Sequence, residues 1–127
     1  MRLRIYISAP LTNGGHLNGL TGEAAVKANV AAAMAAGHEL MRLGYAPFVP
    51  HLTYYMDPDG EVPHAVWLAV DEPWVLASHA VLRLPGESKG ADMETAWARQ
   101  ACIPVFESIE QLREALPPDY EPLSNAA

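Results

Sequence analysis

The sequence predicts an α/β domain in which a parallel β-sheet is covered by helices on both faces. Three observations favour this class: short apolar segments alternate with longer amphipathic ones, glycine or proline stands where most segments end, and half of the 127 residues are hydrophobic. Strands that alternate with helices are typical of right-handed βαβ units, whose strands are parallel. A chain of this length is expected to form one domain with its own core.

The first half of the chain contains two predicted strands and one long helix. Residues 3–8 alternate apolar and polar side chains, as a half-buried strand does. The glycine-rich segment 9–22 is long for a connection, which makes it a candidate binding loop. The helix is predicted to begin after Thr21, as its N-cap, and to end at Gly44. Residues 45–49 are the second predicted strand.

The third strand is predicted after a helix that contains a proline. Residues 62–70 are predicted to be helical, and Pro73 is expected to kink or restart the helix, because proline has no N–H to donate. Asp71 can therefore be the N-cap of a restarted helix, with Pro73 near its first position. Residues 80–84 are the third predicted strand, and a glycine-containing turn leads from it into a helix over 90–101.

The last part of the chain is predicted to complete the sheet. Residues 103–106 form a fourth strand, and residues 108–116 form a helix that Ser108 can cap. Residues 1–116 are thus the predicted domain. Residues 117–127 begin with two prolines and hold few apolar side chains, so we expect a mobile tail there.

Charge and cysteine content exclude several classes of partner. Fifteen acidic against eight basic side chains give a net charge of −7, without a basic cluster, so neither a nucleic-acid polymer nor an anionic membrane is an expected partner. No apolar run reaches the roughly 18 residues of a membrane span, and the N-terminal residues have no signal-peptide pattern. The single cysteine, Cys102, lies in a segment predicted to be core, which fits a reducing cytoplasm.

Signatures of metals and common cofactors are missing from the sequence. The five histidines have no zinc-ligand spacing, and no Gly-x-Gly-x-x-Gly follows the first strand. Lys89 precedes Gly90 and not the serine or threonine of a P-loop. We therefore expect neither a metal nor a cofactor.

The turn and helix after the third strand hold the strongest candidate for a functional residue. Ligands of parallel sheets bind beyond the carboxyl ends of the strands, where helix N-termini present N–H groups. Glu94 shares a helix face with Ala91, Ala98 and Ala101, so its carboxylate is expected to be partly desolvated, which is costly for a charge without a task. Asp92 lies on another face and is assigned to the helix dipole.

A histidine and two tyrosines follow the second strand. His51, Tyr54 and Tyr55 would lie at the same edge of the sheet as Glu94. Their rings can stack on a planar ligand or pack the loop against the domain, and the sequence leaves both interpretations open.

Four short motifs follow one another in a definite order. They are Ile5-Tyr6-Ile7-Ser8-Ala9-Pro10-Leu11-Thr12, Asp71 before Ala80-Val81-Leu82, Leu84-Pro85-Gly86 with Ser88-x-Gly90-x-x-x-Glu94, and Ile103-Pro104-Val105. This order and spacing, over about residues 3–107, resembles the nucleoside 2-deoxyribosyltransferase superfamily, and most of all its small bacterial and phage branch of deoxyribosyltransferase-like proteins.

The resemblance implies a flavodoxin-like three-layer sandwich with a parallel sheet of four or five strands. It also implies an enzyme, a transferase or a hydrolase, that cleaves the N-glycosidic bond of a 2′-deoxynucleoside or its 5′-monophosphate. Glu94 matches the catalytic glutamate, whose carboxylate stabilises an oxocarbenium-like transition state and can form a glycosyl ester. Tyr6 matches a tyrosine that orients this carboxylate, and Asp71 matches an acid that can protonate the leaving base.

The predicted substrate-binding residues come from the three loops at this edge. They are Ser8, Pro10, Leu11, Thr12, Asn13, His51, Gly86, Ser88, Lys89 and Gly90. Position 88 distinguishes branches of the family: transferases tend to have an acidic residue there for the free 5′-hydroxyl, whereas nucleoside monophosphate N-hydrolases have a serine. Ser88 and Lys89 are therefore candidate phosphate ligands, although a serine before a helix is also an ordinary N-cap.

Three questions stay open in the sequence. The chain departs from the family pattern at Pro73 and has His79 in place of an aspartate, which leaves the position of Asp71 undecided. A non-catalytic nucleotide-binding or sensor module on the same fold is the alternative function. Family members are dimers or larger, so a homodimer or higher homo-oligomer is expected, with Trp67 and Trp74 at an interface or, alternatively, in the core.

Overall fold

The structure is a computed structural model that describes residues 1–12 and 19–120. Its elements in chain order are β1 (Arg4–Ser8), α1 (Gly22–Leu43), β2 (Ala46–Phe48), a 3₁₀ helix (Pro50–Met56), α2 (His64–Leu76), β3 (Ala80–Arg83), α3 (Lys89–Gln100), β4 (Val105–Phe106) and α4 (Ile109–Ala115). The four predicted strands and the helices between them are confirmed. The 3₁₀ helix was not predicted, because one or two tight turns leave no periodic signal in a sequence.

The four strands form one parallel sheet in the order β2-β1-β3-β4. This arrangement confirms the predicted α/β class. β1 is an inner strand, with Arg4 opposite Ala46 of β2 and Ile5 opposite Ala80 of β3. Because the strands are parallel, their carboxyl ends meet at one edge, and the segments that follow β1, β2 and β3 begin side by side there.

Helices cover both faces of the sheet, so the domain has three layers. Side chains alternate along β1: Ile5 and Ile7 lie in a buried cluster with residues of α1 and α4, whereas Tyr6 lies in a second cluster with residues of α2 and α3. Tyr6, Ile5 and Ile7 are all completely buried. The second face also carries a row of aromatic rings, in which Phe48 stacks on Tyr6 at 5.7 Å and on Trp74 at 5.1 Å.

Local signals set most of the helix ends. The hydroxyl oxygen of Ser88 accepts a hydrogen bond from the N–H of Ala91 at 3.0 Å, and Ser108 caps α4 in the same way. Gly44 ends α1 with a left-handed φ of 103°, which glycine adopts without steric cost. Thr21 occupies the N-cap position of α1, but its side chain makes no capping bond.

The expected restart of the helix at Pro73 is wrong. α2 is a single helix from His64 to Leu76, and Asp71 lies inside it and is not an N-cap. Pro73 denies a hydrogen bond only to the carbonyl of Ala69. Because Ala69 is exposed, water can satisfy that carbonyl, and the helix continues.

One expectation about the last third of the chain needs revision. Cys102 was expected in the core, but it is exposed, with a left-handed φ of 60° in the turn after α3. The predicted domain ends at Leu116, whose carbonyl accepts a hydrogen bond from the hydroxyl of Tyr45 at 2.7 Å. Residues 121–127 lie outside the described residues.

Membrane-spanning helices are not found in the described part of the chain. The helices there are either too short or too polar for a bilayer.

Candidate functional site

A cavity of about 480 Å³ opens at the carboxyl edge of the sheet. The segments after β1, β2 and β3 each contribute to its wall, through Leu11, His51 and Ser88 among others, and α2 closes one side. The cavity therefore lies where the order of strands and helices predicted a site.

Glu94 lies in the wall of this cavity with its carboxylate almost out of water. It stands in the second turn of α3, is only 6% exposed, and shares its helix face with the buried residues Ala91 and Ala98. The small side chains let α3 approach the sheet, so that Glu94 reaches β1. Its oxygen Oε2 accepts a hydrogen bond from the hydroxyl of Tyr6 at 2.5 Å, and Oε1 accepts one from the hydroxyl of Ser8 at 2.8 Å.

Strand β1, and not a loop, positions the two hydroxyl groups that donate to Glu94. Tyr6 and Ser8 stand two positions apart on β1, so both point to the α3 side of the sheet, and both are completely buried. The ring of Tyr6 stacks on Phe48, which holds its hydroxyl in place. Glu94 is thus oriented by two rigid hydroxyl groups, and its carboxylate cannot turn away from the cavity without losing both bonds.

Burial controls the charge of Glu94. The pKa of Glu94 is raised to about 7, mainly by desolvation and also by the nearby carboxyl group of Asp71, whereas the hydrogen bonds from Tyr6 and Ser8 act to lower it. The pKa of Tyr6 is also raised, first by its own burial and then by the charges of Glu94 and Asp71. The tyrosine consequently remains a protonated donor at any pH at which the protein is folded.

Asp71 lies beside Glu94, on the face of α2 that lines the cavity. Burial raises its pKa, whereas a hydrogen bond with the carboxyl group of Glu94 and the nearby His64 lower it. The two carboxyl groups therefore titrate as a pair, with a proton held between them over part of the pH range. Neither Pro73 nor His79 displaces Asp71 from the site: the ring of His79 is turned to β1, where its Nδ1 accepts the N–H of Arg4 at 2.9 Å.

Six of the ten predicted substrate-binding residues line the cavity. They are Leu11, Thr12, His51, Ser88, Lys89 and Gly90. Ser8 lies beneath Glu94, Pro10 contributes its carbonyl to a bond with His51, and Gly86 lies outside the wall, where its carbonyl accepts from Arg83. Asn13 falls outside the described residues.

His51 packs the first loop onto the domain and also lines the cavity. It is 5% exposed, and its Nε2 bonds to the carbonyl of Pro10 at 2.9 Å. Burial lowers the pKa of the ring, so the neutral tautomer with hydrogen on Nε2 fits this bond. Tyr54 lines the cavity, whereas Tyr55 is 66% exposed and contacts Tyr54 edge-on. The bond to Pro10 shows that His51 packs the loop, and contact of these rings with a ligand stays a prediction.

Ser88 also has a structural bond. Its hydroxyl oxygen caps α3, which is the ordinary interpretation of a serine before a helix, and the side chain is 8% exposed. The hydroxyl hydrogen stays available to a ligand. Lys89 is the only lysine or arginine among the described residues that line the cavity.

Three residues of the cavity wall on α2 were not predicted from the sequence. His64, Trp67 and Leu68 line the cavity with Asp71, at the i, i+3, i+4 and i+7 spacing of one helix face. The sequence contains this spacing, but the predicted helix ended at residue 70, before the expected interruption at Pro73. Asp71 was therefore not placed on the same helix face as these residues. Trp67 was assigned to an interface or to the core, and it belongs to neither buried cluster.

Comparisons with models of protein families, with curated proteins and with solved structures find no match for this chain. The chemistry of the site must therefore be inferred from its own geometry. Within the described residues, no group of three or more histidine, cysteine or carboxylate side chains has the arrangement of a metal site. The cavity presents the neighbouring carboxyl groups of Glu94 and Asp71 among aromatic and apolar side chains, and Glu94 is oriented by two hydroxyls. The third carboxylate in the described wall, Asp57, accepts hydrogen bonds from the N–H groups of Glu61 and Val62.

Proposed function

We propose that the protein cleaves the N-glycosidic bond of a 2′-deoxynucleoside or its 5′-monophosphate, with Glu94 as nucleophile. One observation carries the proposal: Glu94 is a buried carboxylate, held by the hydroxyls of Tyr6 and Ser8, in the wall of a cavity large enough for a small molecule. Such a carboxylate has no structural partner of opposite charge among the described residues. A nucleotide-binding module without catalysis would have no use for it.

Each carboxyl group has a definite part in the proposed reaction. A carboxylate oxygen of Glu94 forms a bond to the anomeric carbon of the sugar as the bond from that carbon to the base nitrogen breaks. The electron pair goes to the base, and Asp71 supplies the proton that neutralises it. Water or a second base then attacks the anomeric carbon, which releases Glu94 and completes hydrolysis or transfer.

The coupling of Glu94 with Asp71 suits this sequence of steps. The reactive state has Glu94 ionised and Asp71 protonated, which is a pair with one proton. In the free protein this proton lies mainly on Glu94, because the hydrogen bond between the two carboxyl groups raises the pKa of Glu94 and lowers that of Asp71. The proposed reaction therefore includes transfer of this proton from Glu94 to Asp71 across that hydrogen bond when the substrate binds, and the partial burial of Asp71 favours its protonated form.

The arrangement of the sheet supports the family resemblance. The order β2-β1-β3-β4 is the flavodoxin-like order of strands without the fifth strand, and ligands of that fold bind beside the first and third strands. In this chain those strands are β1 and β3, and the segments that follow both of them line the cavity.

A panel of deoxynucleosides and their 5′-monophosphates, assayed for free base with and without a second base, tests the proposal. Glu94→Gln is expected to lower the rate by about 10⁴-fold or more, because an amide cannot form the ester. Calorimetry on this variant should still detect the substrate. Glu114→Gln is the matched control, since Glu114 is exposed on α4, across the sheet from the cavity. Base release by Glu94→Gln at the native rate, or no release from any compound by the native protein, would overturn the proposal.

The same panel separates the branches of the family. Formation of a new nucleoside in the presence of a second base indicates a transferase, and its absence indicates a hydrolase. A preference for monophosphates is expected to depend on Lys89, which lines the cavity at the N-terminus of α3.

We also propose that the chain assembles into a homodimer or a larger homo-oligomer. Val66, Val70 and Trp74 recur at steps of four on α2 and are 46%, 43% and 52% exposed, which makes an apolar stripe next to the cavity wall. Light scattering at working concentration tests assembly, and a monomer there would refute it.

A further inference from the structure

Trp67 is a large aromatic side chain that lines the cavity and lies outside the core clusters of the described domain. It is partly buried, it belongs to neither core cluster, and its ring has no aromatic partner among the described residues. The other two tryptophans differ: Trp74 stacks on Phe48, and Trp97 packs on the second core cluster. A large ring that faces a cavity is costly in water and gains when an apolar or aromatic surface covers it.

The position of Trp67 relative to the carboxyl groups is set by the helix. Trp67 and Asp71 are four residues apart on α2, so they are neighbours on one face, and both line the cavity. Glu94 of α3 lines the same cavity next to Asp71. A planar molecule on the indole ring therefore has one edge beside Asp71, while a group attached to that edge extends towards Glu94.

We propose that Trp67 is the platform on which the planar base of the substrate stacks, with the edge of the base next to Asp71. The proposal deepens the proposed function and rests on it for the identity of the substrate. It states the chemical class of the leaving group, an aromatic heterocycle, and gives the reason that Asp71 lies one helical turn from a tryptophan. Stacking alone does not discriminate between bases, because every base has a π-face.

Binding of free bases tests the platform without any need for catalysis. Adenine, hypoxanthine, cytosine and thymine are titrated into the native protein and into Trp67→Phe, Trp67→Leu and Trp97→Phe, with calorimetry and tryptophan fluorescence as readouts. The Leu variant should bind bases about 5- to 150-fold more weakly, which is the range for loss of a base-stacking aromatic residue, and the Phe variant should lie between. Trp97→Phe is the matched control, because Trp97 lies outside the cavity wall.

Fluorescence keeps the test decisive if the Leu variant does not fold. Stacking of a base should quench the indole of the native protein, and the quenching should disappear in Trp67→Phe and persist in Trp97→Phe. Equal affinity of the native and Leu proteins, persistent quenching in Trp67→Phe, or no binding of any base by the native protein would overturn the platform. Failure of the proposed function looks different: bases bind and quench Trp67, but no deoxynucleoside or monophosphate is cleaved.

Discussion

The buried charge of Glu94 should make the protein less stable as the pH rises, and Glu94→Gln should remove this dependence. Burial raises the pKa of Glu94 from 4.5 to about 7. Between these values the folded protein retains a proton that the unfolded chain releases, so the free energy of unfolding falls as the pH increases through this window. At about 1.4 kcal/mol for each tenfold change in proton affinity, the total loss is about 3 kcal/mol.

The glutamine variant never carries the charge, so its free energy of unfolding should increase relative to that of the native protein as the pH rises through the same window. Its amide must still accept from one hydroxyl and donate to the other, at a cost of about 1 kcal/mol for the rearranged bonds. We therefore expect the variant to be slightly less stable than the native protein near pH 4.5, and about 2 kcal/mol more stable above pH 7.

Urea unfolding followed by circular dichroism, at several pH values between about 4 and 8, measures this difference. Titrating groups that do not interact with Glu94, such as His51, contribute to both proteins and cancel in the comparison. Glu114→Gln, a substitution of an exposed glutamate, should shift stability by no more than about 0.5 kcal/mol and follow the native pH dependence. Parallel curves for the native protein and Glu94→Gln would show that Glu94 is not desolvated, and the reasoning about the site would fail.

Three further substitutions test the support of the site and the packing of the helices. Tyr6→Phe removes a hydrogen bond to the carboxylate of Glu94, which should raise the pKa of Glu94. The acid limb of the pH–rate profile should therefore move to higher pH, and the rate at neutral pH should fall about 10-fold or more. An unchanged profile would contradict the role of Tyr6. Gly37→Ala should destabilise by about 1–3 kcal/mol in urea unfolding, because the new Cβ would lie 2.7 Å from Cγ2 of Val49; native stability would show that this contact relaxes. Pro73→Ala restores a donor to the carbonyl of Ala69 and should raise the free energy of unfolding by about 1–2 kcal/mol, which thermal unfolding would show as a higher midpoint. A lower midpoint would show that proline stabilises the helix at this position.

Much of the fold could be predicted from the sequence, because the strand pattern and the residues at helix ends agree with the observed burial and helix boundaries. β1 alternates apolar and polar residues, Gly44 and Ser108 stand at helix ends, and the structure follows these signals. Pro73 was misleading because the cost of a proline in a helix depends on whether the freed carbonyl reaches water, which a sequence does not state. Cys102 was misplaced because a short turn, and not the helix period, decides its exposure.

The candidate site was readable in part. Glu94 was identified from the alanines on its helix face, and the buried carboxylate is found there. The second bond, from Ser8, was not anticipated, since it depends on how closely α3 approaches β1. Trp67 was missed for a similar reason: whether an aromatic side chain on α2 faces a cavity or a neighbouring subunit depends on tertiary packing.

The alternation of β1 has a consequence for how the protein can vary. Ile5 and Ile7 fill the core on one face, while Tyr6 and Ser8 hold the carboxylate on the other, all within a strand of five residues. An insertion or deletion of one residue would exchange the two sets. Substitutions along residues 5–8 should therefore alternate in their effect: Ile5→Ala and Ile7→Ala should lower stability, whereas Tyr6→Phe and Ser8→Ala should lower activity in folded protein.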